Sequence, residues 1–190
     1  MKRIILALFV AVFAFSVSAQ EMNVATFNVR VSGPLKPGRP RPKKGDYAKF
    51  NGWDDRKDYL CDMIKFEAFD VFGVQEAKYP QISDMLERMP EYAYIGVGRD
   101  DGKQKGEFMA IFYRKDEVEL LDGGTFWLSE TPEKPSRGWD AACFRSCTWT
   151  KLKMKSNGKI FAYLNTHLDH VGKEARKEGL ALIAKRAQEI

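Results

Sequence analysis

Ile160 to Leu164 is an unbroken apolar run that ends in Asn165-Thr166-His167-Leu168-Asp169-His170, and helical spacing resumes at Lys173. Both histidines of the chain lie in that six-residue exit. An apolar run of this length, followed by polar residues and then a helix, reads as a buried strand that emerges and turns. It requires a sheet behind it, and a rigid sheet fixes the polar side chains that its strand-end loops display. His167 is therefore the residue whose partners the remaining chain must supply.

Three other strand-like stretches end on or open with groups that suit chemistry. Met22 to Val31 is rich in strand formers and apolar at most positions, which predicts a strand covered on both faces, with Asn28 near its far end. The local reading leaves Asn28 as a backbone tether or as a metal or phosphate contact. Asp70 to Glu76 reads as a short buried strand ending in a carboxylate, and an ionised carboxylate in that place is costly unless paired or metal-bound. Glu107 enters the apolar strand Phe108 to Arg114, where on its own it is a surface charge.

Between these lie the supporting elements. Tyr59, Leu60, Met63, Ile64 and Phe66 are spaced to fill one face of a helix over 53–69, with Asp54 and Asp55 in its first turn. A short helix is predicted from Pro80 to Met89 and strands at Tyr92 to Val97, Val118 to Leu121 and Thr125 to Leu128, the last two joined by the Asp122-Gly123-Gly124 turn. Phe144 to Met154 and Ile160 to Thr166 form an expected hairpin around Asn157-Gly158, with Arg145 on its first strand. Lys173 to Ile190 is amphipathic. Two loops stand out. The segment 32–52 carries Pro34, Pro37, Pro40 and Pro42 among basic residues and reads as a solvated surface loop, with phosphate contact as the lesser alternative. The segment 129–140 lies between Trp127 and Trp139, aromatics that pin a loop or line a cleft.

Met1-Lys2-Arg3 followed by the apolar stretch Ile4 to Val17 and the small residues Val17-Ser18-Ala19 has the pattern of a secretory signal peptide, with cleavage expected before Gln20. The apolar run is short for a membrane span of roughly 20 residues. A mature domain over 20–190, exported to the periplasm or the extracellular space with no stable membrane anchor after cleavage, is the expectation. Loss of Lys2 and Arg3 lowers the formal charge from +5 to +3, too mild a surplus to imply a polyanionic partner. Three cysteines leave at least one free or paired between molecules. Cys143 and Cys147, read as one strand, would stand roughly 13 Å apart, beyond disulfide reach. A zinc site drawing on Cys143, Cys147, His167 and His170 is conceivable, and buried thiols are the plainer reading.

Asn28 and Glu76 offer hard oxygen donors, and His167 closes a third strand. Carboxylate-held magnesium beside a histidine is a workable arrangement for phosphodiester hydrolysis. At this point the chain resembles the endonuclease/exonuclease/phosphatase superfamily, which includes deoxyribonucleases, abasic-site endonucleases, neutral sphingomyelinases and inositol polyphosphate 5-phosphatases. The resemblance rests on Ala25-Thr26-Phe27-Asn28-Val29-Arg30, Val74-Gln75-Glu76, Gly106-Glu107-Phe108-Met109-Ala110-Ile111-Phe112-Tyr113-Arg114 and Asn165-Thr166-His167-Leu168-Asp169, in that order. It implies an α+β fold, a four-layer α/β/β/α sandwich. It further implies that Glu76 is the principal ligand of Mg²⁺, with Mn²⁺ or Ca²⁺ as alternatives, and that Asn28 is a metal or phosphate contact beside it. Arg145 resembles the phosphate-binding arginine. Glu107 and His167 match a pair in which the glutamate hydrogen-bonds the imidazole and favours its protonated form; Asp169 and His170 are expected at the rim of the same loop.

The resemblance also implies a second half with an Asp-x-Asn motif and a late Asp-His pair, and neither follows His170. The chain is accordingly expected to be an N-terminal portion of the sandwich, incomplete at its C-terminus and inactive by itself. Its substrate is expected to be a phosphoester of unspecified class: nucleic acid, phospholipid head group or sugar phosphate. A non-catalytic module that binds a phosphate or sugar ligand with the same fold is the alternative.

Overall fold

The computed structural model describes residues 21–32 and 52–190. The signal-peptide pattern and nearly all of the proline-rich loop lie outside the described residues.

The chain builds β1 (Val24–Asn28), α1 (Trp53–Glu67), β2 (Val71–Gln75), α2 (Tyr79–Arg88), β3 (Tyr92–Ile95), β4 (Ile111–Arg114), β5 (Val118–Trp127), β6 (Ser146–Met154), β7 (Ile160–Thr166) and α3 (Lys173–Glu189). One sheet has the order β1-β2-β4-β3 and the other β5-β6-β7. β1 and β2 run parallel, which the intervening α1 permits; every other pairing is antiparallel.

Three apolar clusters separate four layers. Phe72 and Val74 of β2 and Phe112 of β4 face Cys61 and Ile64 of α1 and Ile82 and Met85 of α2. Phe72 and Phe112 stack at 5.0 Å between ring centroids, with Tyr92 edge-on to Phe72 at 5.4 Å. Val71 and Ile111 point the other way, onto Val118, Leu152 and Met154 of the second sheet. Phe126 and Cys147 then face Leu182 and Ile183 of α3. The result is helices, sheet, sheet, helix, the α/β/β/α sandwich of the α+β class expected from the motifs.

Period-2 alternation along β2 makes this possible, because a strand buried on both faces needs apolar residues at every position that meets a layer. Gly73 is the exception that proves tight. A Cβ there would come within 2.7 Å of Asn165 Cγ, so only glycine lets β7 approach β2 this closely.

Several expectations change in detail. β1 is an edge strand, paired only with β2 among the described residues, and Val24 is 49 % exposed, so the expected burial on both faces is not found. The two strands expected on either side of Asp122-Gly123-Gly124 are one, β5, with a register shift between Leu120 and Asp122. The bulge falls at Leu121, and Gly123 and Gly124 pair in regular register with Thr150 and Trp149 where a turn was expected. β4 begins at Ile111, because Phe108 makes only isolated bridges to Ala77 and Gly98. The Asn157-Gly158 hairpin forms as expected, with Gly158 at φ 71°. Trp127 Nε1 donates to Arg99 O at 2.6 Å, tying the end of β5 to the β3–β4 connection, and its backbone N–H donates to Pro132 O at 2.8 Å within the 129–140 loop. All three cysteines are free.

Candidate active site

The polar ends of β1, β2 and β7 meet at one end of the sandwich, since β1 and β2 run in parallel and Asn28 lies opposite Gln75. Glu76 follows directly, with a left-handed backbone at φ 64°, a conformation that costs a non-glycine residue roughly 1–2 kcal/mol. That turn aims its carboxylate across β1. Asn28 Nδ2 donates to Glu76 Oε1 at 2.8 Å, and Val31 N donates to Oε2 at 3.2 Å. Asn28 Oδ1 accepts from Arg30 N at 2.9 Å, which fixes the amide orientation, because the flipped rotamer would face oxygen to carboxylate. In this structure Asn28 is thus the positioner of Glu76, the tether its local sequence allowed, with an oxygen already engaged by backbone.

Burial works to raise the Glu76 pKa, but the Asn28 and Val31 hydrogen bonds and the nearby His167 and Arg145 outweigh it and hold the group below its ordinary value. Glu76 is an ionised, hard oxygen donor at neutral pH. Its chemistry fits a divalent cation of the magnesium type.

Two residues absent from the sequence reading hold this corner. Arg56 of α1 donates to Val29 O at 2.5 Å and to Arg30 O at 2.9 Å. Gln81 of α2 is fully buried, accepts from Ser32 N at 2.8 Å and donates to Arg30 O at 3.1 Å. Together they fix the segment whose Val31 N–H holds Glu76.

His167 is half-buried at the exit of β7, and its Nδ1 is buried without a hydrogen-bond partner. The expected hydrogen bond from the His167 ring to the Glu107 carboxylate is not made. Glu107 Oε2 lies 2.8 Å from Arg99 Nη1, in an ion pair that the turn between β3 and β4 creates. The expected protonation is also reversed. Burial first, then Arg145 and Arg99, push the His167 pKa down, and Glu76 and Glu107 offset this only in part. The imidazole is neutral at neutral pH.

Arg145 is 5 % exposed and lies just before β6, not on it. Its Nε donates to Asp169 Oδ2 at 3.2 Å and its Nη2 to His170 Nδ1 at 3.1 Å. Asp169, expected at the rim, is 3 % exposed. Its Oδ1 accepts from Val171 N and Gly172 N at 2.9 and 2.8 Å. Burial would raise its pKa, yet the Gly172, Val171 and Ala142 backbone N–H groups and Arg145 drive it far below the carboxylate range. His170 is exposed at the rim, as expected, and adds a second acceptor for Arg145. The zinc set imagined from the sequence does not assemble: Cys147 is buried against α3 and donates to Thr148 O, on the far side of the sheet from His167.

The structure therefore gathers Glu76, Asn28, His167, Arg145 and Glu107 at one mouth, joined by Arg99. A carboxylate for a cation stands beside a guanidinium and a neutral imidazole, a set of groups suited to a phosphate ester bound through a metal.

The chain belongs to the endonuclease/exonuclease/phosphatase family, whose model matches residues 25–185. Among solved structures it is similar to a mannosyl-6-phosphatase of Bacteroides thetaiotaomicron, at 43% identity and a TM-score of 0.79, covering 89% of this chain and 60% of that one. It is also similar to an endonuclease/exonuclease/phosphatase protein of Bacteroides vulgatus, at 46% identity and a TM-score of 0.78, covering 87% and 59%. An uncharacterised protein of Acanthamoeba polyphaga mimivirus is 27% identical over 149 residues, covering 73% of this chain and 56% of its own length. The chain spans a little over half the length of these relatives.

Proposed function

We propose that the chain carries the cation-binding and phosphate-binding part of an exported phosphoester hydrolase, with a sugar phosphate as the first substrate class to assay. The observation that carries the reading is the Glu76 carboxylate, held ionised by Asn28 and Val31 N–H beside Arg145 and His167. The relative named as a mannosyl-6-phosphatase supports the choice of a sugar phosphate. The Met1 to Ala19 pattern supports export.

Glu76 would hold Mg²⁺, or Mn²⁺ or Ca²⁺ in its place, and such an ion supplies charge stabilisation at the phosphoryl oxygens. Asn28 orients Glu76. Arg145 offers charge-assisted donors to a phosphate oxygen, and its fixed pose on Asp169 means that no ordering is needed on binding. His167, neutral, donates one ring N–H to the phosphate and keeps the other nitrogen as an acceptor. Glu107 acts on that imidazole as a nearby anion that Arg99 holds back.

Binding tests this more directly than turnover, since the relatives are longer than this chain. Calorimetric titration of Mn²⁺ and Mg²⁺ should give one site in the 190-residue chain and none in Glu76→Gln. Inorganic phosphate or mannose 6-phosphate should bind more tightly with the ion present, and Arg145→Met should remove that gain. Divalent-ion binding unchanged in Glu76→Gln would sink the reading. Robust Glu76-dependent hydrolysis by this chain would instead overturn the expectation that it is inactive by itself.

A further inference from the structure

Behind the phosphate-facing residues lies a second group, of which the proposed chemistry uses Asp169 and His170 only as the acceptors that hold Arg145 and leaves Cys143 without a role. The Cys143 thiol, the Asp169 carboxylate and the His170 imidazole each offer a ligand atom, and these atoms all lie within 4.8 Å of one another. Cys143 sits in the irregular segment before β6, while Asp169 and His170 sit in the loop between β7 and α3. The Cys143 thiol donates to Asp169 Oδ2 at 3.7 Å. Sulfur and oxygen ligands at tetrahedral positions around zinc stand about 3.5 Å apart, given Zn–S near 2.3 Å and Zn–O near 2.0 Å. The thiol and carboxylate are thus already at the separation that a shared zinc ion would impose.

We propose that Cys143, Asp169 and His170 form a zinc site whose occupation withdraws Arg145 from the phosphate position. The donor set selects the metal: a thiolate with an imidazole and one carboxylate suits Zn²⁺, whereas Mg²⁺ takes oxygen ligands and leaves a thiol alone. The two cation sites therefore differ in kind, hard at Glu76 and borderline-soft here. Asp169 is rigid enough to serve, because Val171 N, Gly172 N and the Arg176 bond to Asp169 O at 2.9 Å fix its loop.

The coupling to Arg145 follows from its two acceptors. Arginine only donates, so His170 Nδ1 must carry the lone pair in the 3.1 Å contact with Arg145 Nη2. Zinc bound at Nδ1 takes that lone pair. Zinc bound at Nε2 requires the ring proton to move to Nδ1, which then cannot accept. Either way Arg145 loses His170. Zinc on Asp169 Oδ2 also competes with Arg145 Nε for the same oxygen, and the ion repels the guanidinium. Binding is balanced as Zn²⁺ plus thiol giving zinc thiolate plus one proton released to solvent. The inhibitory consequence rests on the proposed phosphate role of Arg145; the site itself does not.

The test uses the 190-residue chain, Zn²⁺ in competition with a chromophoric chelator, and inorganic phosphate. One equivalent of zinc should bind, with a proton released, and Cys143→Ser and His170→Ala should each weaken it at least tenfold. Cys61→Ser should not, since that thiol is fully buried in another layer. In the wild-type chain, where no variant can misfold, saturating zinc should protect Cys143 from iodoacetamide as judged by peptide mapping. Zinc affinity indifferent to Cys143→Ser, or alkylation of Cys143 at the same rate with and without zinc, would overturn the site. Zinc should also weaken Mg²⁺-supported phosphate binding at least tenfold in the wild type and not in Cys143→Ser; equal weakening in both overturns the coupling. Phosphate that fails to bind even without zinc counts against the proposed function alone, and the chelator competition then still decides the zinc site.

Discussion

Asn165 Oδ1 accepts from Gln75 Nε2 at 2.6 Å, so the residue two before His167 is tied to the residue before Glu76 across the two sheets. The same Asn165 side chain donates from Nδ2 to Val74 O and Ala110 O at 2.8 and 2.9 Å, and Gln75 also donates to Thr26 Oγ1 at 2.9 Å. A buried amide that satisfies three partners fixes the relative height of the sheets at the mouth of the site. Replacing it with Ala deletes all three of its hydrogen bonds and leaves a void beside Gly73, although Ala110 O keeps the Val74 N–H at 2.8 Å and Gln75 keeps Thr26. Asn165→Ala should cost about 3–4 kcal/mol in urea unfolding, by analogy with loss of a fully satisfied buried network. A loss below about 1 kcal/mol would mean that the sheets are held in register by packing alone.

Asp169 gives a pH signature. Its native pKa is depressed, so at pH values between that and the ordinary value near 4 the unfolded chain binds the proton that the native chain refuses. Its contribution to stability is therefore complete above about pH 5 and is lost as the pH falls through 4 and below. Asp169→Asn removes the anion and leaves the buried Arg145 guanidinium without its counter-charge, a change that costs about 3–5 kcal/mol at neutral pH. The difference between wild type and variant should shrink steadily below pH 4. Parallel stability curves from pH 7 to pH 3 would show that Asp169 is held by shape and not by charge.

What the sequence made legible and what it hid divide along one physical line. Local signals were readable. The Asn157-Gly158 turn, the apolar run of β2, the span of β7 and the strand-end positions of Asn28, Glu76 and His167 all follow from period and turn chemistry within a few residues. The burial expected of β7 does not, since among the described residues it is an edge strand with Ile160 56 % exposed. Pairings made through folded loops were not. Glu107 and Arg99 are eight apart, and they meet because Gly106, at φ 87°, and the Asp101 Oδ1 bonds to Lys103 N and Lys105 N curl the chain back. Spacing says nothing of that. Arg56 looks like one charge among many on α1, and only the fold shows it clamping Val29 and Arg30. Asp169 was nearer to reach: an aspartate two and three residues before the N–H groups it binds is a local Asx pattern, readable from Asp169-His170-Val171-Gly172.

The Arg56 clamp predicts a residue that matters for cation binding without touching the ion. Arg56→Met keeps an aliphatic side chain but removes the guanidinium that lies over Trp53, 5.6 Å from the ring centroid, and with it the donors to Val29 O and Arg30 O. Val31 N–H should then hold Glu76 less firmly, and Mn²⁺ affinity should fall roughly 10-fold, the scale at which supporting contacts tune a metal site. In Glu76→Gln, where no ion binds, adding Arg56→Met should change only stability. An unchanged Mn²⁺ affinity in Arg56→Met would show that β1 and α2 suffice to place the carboxylate.

Arg99 and His167 compete for one carboxylate, and that competition can be read from the imidazole. Arg99 is 12% exposed at its side chain; its Nε and Nη1 are buried without aligned hydrogen-bond acceptors, and the 2.8 Å ion pair with Glu107 is its charge compensation. His167 Nδ1 is buried and empty-handed nearby. Removing the guanidinium with Arg99→Met deletes a cation that depresses the His167 pKa and frees Glu107, whose carboxylate favours the protonated ring. The His167 pKa should rise. With two histidines in the chain, the proton NMR titration of His167 is assigned by its loss in His167→Gln. Glu107→Gln should move the same resonance the opposite way, and Arg99→Met combined with Glu107→Gln should cancel most of the rise. A native imidazole with a depressed pKa takes up protons later than the unfolded one as pH falls, so wild-type stability should decline through the window below about 6.5, and Arg99→Met should flatten that decline. If Arg99→Met leaves the His167 titration where it was, then Glu107 does not reach the imidazole and its part in the site is to neutralise Arg99.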